Sequence, residues 1–126
     1  MSGKARPSAR TLRIPGPAAR DVAHMLDSAM ERFGQMARDR CVALISFGLR
    51  DLADDPARPG VSARTEISSG LFSYHLRFSR RRAATGSVQV KHPRHLVIFR
   101  IATDGAVEIV RLLHDAMDFD HHVPRD

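Results

Sequence analysis

The chain has 126 residues, of which 43% are hydrophobic and 27% charged, which fits one globular domain and excludes a disordered chain. No apolar run of about 18 residues is present, so no transmembrane helix is expected. The single cysteine, Cys41, excludes an internal disulfide and a cysteine-built zinc cage. The net charge is +6, and only Lys4 and Lys91 among the 20 basic residues are lysines.

Residues 1–10 read as a mobile basic tail. No apolar stretch follows it, so a signal peptide is not expected and a cytoplasmic location is the default. Thr11 to Ile14 is a short strand, stopped by Pro15-Gly16. Pro17 suits a first helical position, where its missing N–H costs nothing. Val22, Leu26, Ala29, Met30 and Phe33 then recur at steps of three and four, predicting a helix from Ala18 to Phe33. Gly34 is a natural stop. Ala37, Cys41, Leu44, Ile45, Gly48 and Leu52 line one face of a second helix, ended by Asp54-Asp55-Pro56. The short connection makes the two an antiparallel helical hairpin.

Residues 56–70 are rich in Pro, Gly and Ser and read as a loop. Phe72, Tyr74, Leu76 and Phe78 alternate with Ser73, His75 and Arg77, predicting a half-buried strand. An exposed basic loop follows through Ser87, with a short edge strand at Val88 to Val90. Leu96 to Ile101 and Ala106 to Leu113 are the last strands, joined at Asp104-Gly105, a strong hairpin signal. The order β-α-α-β-β-β predicts an α+β fold. An antiparallel sheet of three to four strands carries the helical hairpin on one face.

A two-residue turn at Asp104-Gly105 sets a register in which Arg100 faces Ile109, Phe99 faces Val110, Ile98 faces Arg111 and Val97 faces Leu112. One face then carries Val97, Phe99, Ile101, Val110 and Leu112 and is expected to meet the helices. The other carries Ile98, Arg100, Val107, Ile109, Arg111 and Leu113, joined by His75 and Arg77. This second face is a binding surface, the seat of an active site, or arginines stretched over an apolar floor.

Charge is unevenly spread. Arg64 to Arg111 holds nine basic and three acidic residues; Leu112 to Asp126 holds one basic and four acidic. The basic stretch suits an acidic partner, and segment 77–94 is a candidate nucleic-acid contact. His121 and His122, beside Asp118 and Asp120, read as a solvated end rather than a metal site, and no cofactor is implied. No phosphate-binding glycine loop, nucleophile elbow or dinucleotide motif is present.

Pro93 to Asp118, PRHLVIFRIATDGAVEIVRLLHDAMD, resembles the C-terminal half of RelE/ParE superfamily toxins, through Phe99-Arg100-Ile101 and the run Glu108 to His114. Pro17 to Asp21 resembles the start of that family's first helix. The resemblance implies a single toxin domain over residues 11–119, with 120–126 a short acidic and histidine-containing tail. It implies the toxin of a type II toxin–antitoxin pair, a role in plasmid stabilisation, and a small antitoxin partner that is DNA-binding and represses its own operon. One branch of the family inhibits growth by binding DNA gyrase; the other is a ribosome-dependent mRNA endoribonuclease. A third possibility is a non-toxic member that only binds its antitoxin.

Nuclease members need a base, an acid and cations around the scissile phosphate. The single tyrosine, Tyr74, lies early and the two lysines are not clustered, so the Lys/Tyr set is missing. Glu66, Arg111 and one of His114, His121 or His122 supply the residue types of a Glu/Arg/His set, with His114 the candidate that follows the family pattern. The resemblance therefore implies the gyrase-binding branch more than the nuclease one. The residues expected to contact target or antitoxin are Arg77, Ile98, Arg100, Ile109, Arg111 and His114.

Overall fold

Ile14 and Pro15 separate the first strand from the first helix: Pro15 cannot donate to a sheet ladder, and Pro17 sits in the first helical turn, where its missing N–H costs nothing. The computed structural model describes residues 10–81, 83, 90 and 92–116. In chain order they form β1 (Leu12–Arg13), α1 (Gly16–Phe33), α2 (Gln35–Asp54), β2 (Val61–Ala63), β3 (Phe72–His75), a 3-10 turn (Leu76–Ser79), β4 (His95–Ile101) and β5 (Val107–His114). Gly34 alone links the helices. Its φ of +91° is a conformation other residues rarely adopt, and its N–H bonds the Met30 carbonyl at 3.0 Å.

The sheet order is β1-β5-β4-β3-β2. The α+β class and the β-α-α-β-β-β order follow the sequence reading, with two corrections. The sheet has five strands rather than three to four, and it is mixed, because β1 runs parallel to β5. The added strand, β2, comes from the stretch read as a loop. Its three residues are too few for an alternating pattern to stand out among Gly60, Ser62 and Ser68-Ser69-Gly70.

The predicted strand from Phe72 to Phe78 stops at His75. The chain there turns into the 3-10 helix, where the Arg77 N–H bonds His75 Nδ1 at 3.1 Å. A buried chain of hydrogen bonds favours the turn. Tyr74 Oη and Ser79 Oγ lie 2.7 Å apart, and Ser79 Oγ donates to Asp51 Oδ2 of α2 at 2.7 Å. Arg58 reaches the same carboxylate at 3.2 Å, so the buried charge is paired. Leu76 becomes fully buried against Gly48 of α2, while Phe78 is left 44% exposed instead of facing the helices.

The hairpin between β4 and β5 differs from the two-residue turn. Ala102 N–H bonds Ala106 O, and Gly105 N–H bonds Ala102 O, both at 2.8 Å. The loop is therefore Thr103-Asp104-Gly105, with Gly105 at φ +88°. Asp104 Oδ1 accepts the Ala106 N–H at 3.1 Å, and its carboxylate pairs with Arg13. Ile101 then faces Val107, Arg100 faces Glu108 and Phe99 faces Ile109. A bulge at Val110 restores the expected register beyond it, with Ile98 opposite Arg111 and Val97 opposite Leu112.

The faces follow. Val97, Phe99, Val107, Ile109 and Leu112 pack with Ala18, Leu44, Ile45, Leu49 and Leu52 of the helices. Phe72 stacks on Phe99 across the strands, ring centres 5.6 Å apart. Val107 and Ile109 thus lie on the helix side, opposite to the sequence reading. Val110 joins Leu96, Ile98 and Leu113 in a second cluster, which Ile67 and Leu71 cover from the segment before β3. Ile101, expected beneath the helices, is 37% exposed.

Arg10, read as part of the tail, donates its N–H to Ala53 O and its guanidinium to Gly105 O, both at 2.9 Å. Residues 1–9, residues 88 and 89 of the edge strand expected at Val88 to Val90, and residues 117–126 with the tail expected at 120–126 lie outside the described residues.

Phe99 has no exposed surface. Its replacement by Ala should cost about 3–5 kcal/mol in chemical unfolding. A loss well below that range would place Phe99 outside the main core.

Candidate functional site

Beyond the two residues that β1 covers, the outer edge of β5 meets α1. Asp21, in the second turn of α1, accepts the Leu112 N–H at 3.0 Å. The same carboxylate forms a fork with Arg111, Nε at 2.6 Å and Nη2 at 2.9 Å. This hydrogen bond raises the Arg111 pKa against the opposing effect of burial. An exposed strand edge invites pairing with other chains. Here a helix carboxylate closes it.

The second face of the sheet carries polar groups around its apolar cluster. At one end His75 Nε2 lies 3.1 Å from Asp115 Oδ2. His75 Nδ1 accepts the Arg77 N–H, which leaves Nε2 as the donor to the carboxylate. Arg94 grips Asp115 from the other side at 2.9 Å and 3.0 Å. Arg94 first and His75 second hold the Asp115 pKa down at about 2. On the helix-side face at the same end of the strands, in alternation with Leu96 and Leu113, His95 and His114 meet edge to face, ring centres 5.4 Å apart. Burial, with the nearby charge of His114 next, lowers His95 to about 4, so its ring is neutral at pH 7.

Beside this cluster a cavity of about 270 Å³ is lined by Arg64, Ser73, His75, Arg77, Phe78 and Leu96, among others. Arg64 Nε donates to Ser73 Oγ at 2.8 Å. The Arg77 guanidinium lies 4.7 Å from the centre of the Phe78 ring, so cation and ring are presented together on the 3-10 turn. The lining sets cationic groups, Arg64 and Arg77, beside apolar walls, Phe78 and Leu96, which complements an anionic group with an apolar stem.

The residues expected to form one contact face are divided. Arg77 is exposed beside the cavity. Arg100 lies on the second face and pairs with Glu108 at 2.7 Å. Ile98 is fully buried in the second cluster, and Ile109 is 1% exposed in the helix-side core. Neither offers surface, and they lie on opposite sides of the sheet. Arg111 turns to Asp21 of α1, 90 positions earlier in the chain. His114 remains 40% exposed, its Nδ1 accepting the Ala116 N–H at 3.1 Å.

Glu66 is exposed and contacts Arg64 at 3.4 Å. Glu66, Arg111 and His114 therefore have separate principal partners. Asp21, Arg64, Arg94 and Asp115 were missed. Asp21 lay in the stretch that resembles the family's first helix and Arg94 in the basic segment 77–94, but neither signal named a partner. Among the described residues, no group of His, Cys, Asp or Glu is placed to hold a metal ion, and no helix is long and apolar enough to cross a membrane. Cys41 is half-buried, and burial pushes its thiol pKa up, which disfavours the reactive thiolate.

Asp21→Ala removes the acceptor of the Leu112 N–H and should cost about 1–3 kcal/mol. Asp21→Asn keeps an acceptor oxygen and should cost less. Thermal unfolding of both variants checks the order.

Acid should destabilise the fold in two stages. His95 has a folded pKa of about 4 against an ordinary 6.5, so the unfolded chain takes up its proton first and stability falls between these values. Asp115 titrates at about 2 against an ordinary 3.8, and its stabilisation, full above 3.8, is lost as the pH falls toward 2. His95→Phe should flatten the first stage in melts taken from pH 7 to pH 4. An unchanged slope would contradict a neutral His95.

The family model for the ParE toxin of type II toxin-antitoxin system, parDE, matches residues 12–119. No curated protein matches the chain. The match begins at β1 and runs through all five strands and both helices just described. The chain belongs to the ParE toxin family of type II toxin–antitoxin systems.

Proposed function

We propose that this toxin inhibits growth by binding a protein target, DNA gyrase, through the cationic part of its second sheet face, and that it does so without cleaving RNA. The reading takes its target from the ParE branch, to which the family match points. The observation that carries it is the separation of the nuclease-type residues. Glu66 turns to Arg64, Arg111 to Asp21 of α1, and His114 to His95 and Asp115. RNA cleavage by 2′-hydroxyl attack needs base, acid and cation around one phosphate. Binding by contact needs only exposed, rigidly held groups, and Arg77 stacked on Phe78 beside the cavity is such a group.

The antitoxin partner comes with the family. Its nature as a small DNA-binding repressor belongs to the proposal. So do a cytoplasmic site of action and a nucleic-acid contact along the basic segment 77–94.

The test is expression of the chain without antitoxin, with purified gyrase assayed in parallel. Growth arrest, an induced DNA-damage response and inhibited supercoiling are expected. Arg77→Ala should weaken the inhibition with little change in melting temperature, because its side chain is exposed. Arrest with cleaved transcripts and unaffected gyrase would instead point to an RNase using the cavity's Arg64, His75 and Arg77. Absence of arrest would point to a member that only binds antitoxin.

A further inference from the structure

The cavity beside the 3-10 turn has a donor left over in its wall. Ser73 is 4% exposed, and its Oγ accepts the Arg64 Nε–H at 2.8 Å. A hydroxyl donates one hydrogen bond as well as accepting. Among the described residues the Ser73 O–H has no acceptor, although buried polar groups are ordinarily satisfied. The same bond fixes the direction of the Arg64 guanidinium, and both residues line the cavity.

The neighbouring groups are engaged. His75 accepts the Arg77 N–H at Nδ1 and donates to Asp115 through Nε2, so neither ring nitrogen is left to bind an incoming group. Glu66 touches Arg64 at 3.4 Å from an exposed position, where water weakens such a pair. Among the described residues no carboxylate lines the cavity. Its apolar walls are held in place. Leu96 is buried, and the Phe78 ring lies on Gly60, where an added Cβ would stand 2.7 Å from the ring. Arg77, its guanidinium 4.7 Å from the centre of that ring, adds a second positive charge.

We propose that this cavity is the socket for a single glutamate side chain of gyrase. The carboxylate takes the Ser73 O–H and the Arg64 guanidinium, and its two methylenes lie against Phe78 and Leu96. Hydrogen bonds to an ionised acceptor are the strong ones, and the Ser73 donor is spent only when that acceptor arrives. Aspartate, one methylene shorter, reaches less deeply. A nucleic-acid phosphate brings the charge without an apolar stem to set against the walls. The socket rests on the gyrase reading and specifies the chemistry of the target that the cavity reads.

The test separates socket from target. The full chain, labelled with 15N, is titrated with N-acetylglutamate α-amide, with N-acetylglutamine α-amide and with inorganic phosphate. The glutamate probe should shift the Arg64 Nε–H and the Ser73 amide saturably at millimolar concentrations. The glutamine probe should bind about tenfold more weakly, as expected when the charge of the acceptor is lost. Equal response to the glutamine probe, a stronger response to phosphate, or no response to any of the three overturns the socket. In assays of purified gyrase, Ser73→Ala should raise the inhibitory concentration about tenfold, the loss of one hydrogen bond to a charged group. Its melting temperature should move little, because the removed O–H bonds no described residue and Arg64 keeps access to water. Unchanged inhibition by the folded variant overturns the proposal. If the variant does not fold, the titration of the unaltered chain decides. A toxin that inhibits gyrase yet ignores the glutamate probe overturns the socket and not the target. One that answers the probe yet leaves gyrase active overturns the target and not the socket.

Discussion

The extra residue at Val110 is the constraint on which the two-sided core depends. From Phe99 to the turn, β5 is shifted by one position relative to a two-residue hairpin, because the loop takes three residues. Side chains alternate along a strand, so an uncorrected shift would exchange the faces of every residue in β5. The bulge absorbs it after Ile109. Val107, Ile109 and Leu112 can then all face the helices, while Val110 and Leu113 face the other way. A regular strand cannot place Ile109 and Leu112 on one side, since they are three residues apart.

The same bulge puts Arg111 where its guanidinium reaches Asp21. The carboxylate then serves both the arginine and the next backbone N–H. Helix α1 is thereby fixed along the part of β5 that β1 does not cover. The salt bridge is partly buried and bidentate, the geometry in which an arginine–carboxylate pair contributes more than an exposed one. Arg111 acts here as a structural tie between sheet and helix.

A second apolar cluster changes the character of the outer face. Ile67 and Leu71 fold over Ile98 and Leu113, so the centre of that face is covered. Among the described residues, what that face leaves accessible is peripheral: Arg77 with Phe78 at one cavity, Arg94 with Asp115, and Arg100 with Glu108 near the hairpin. The buried Asp51–Ser79–Tyr74 chain holds the turn that displays Arg77 and Phe78.

Local pattern determined the two helices, the glycine between them and the late strands. Three-to-four spacing, proline and glycine signals and alternating apolar residues all act over a few residues. They also brought Phe99 under the helices. The family resemblance over Pro93 to Asp118 agreed with the match over residues 12–119. What tertiary structure decided was register, edge and partnership. Asp104-Gly105 is compatible with loops of two or three residues, and only packing on two sides of β5 selects the longer loop with a compensating bulge. β2 exists because β3 offers it a partner, not because three residues prefer to be extended. The partner of Arg111 lies 90 residues away on α1. Spacing along the chain carries no information about such a pair, because the ion pair forms only after helix and sheet have docked.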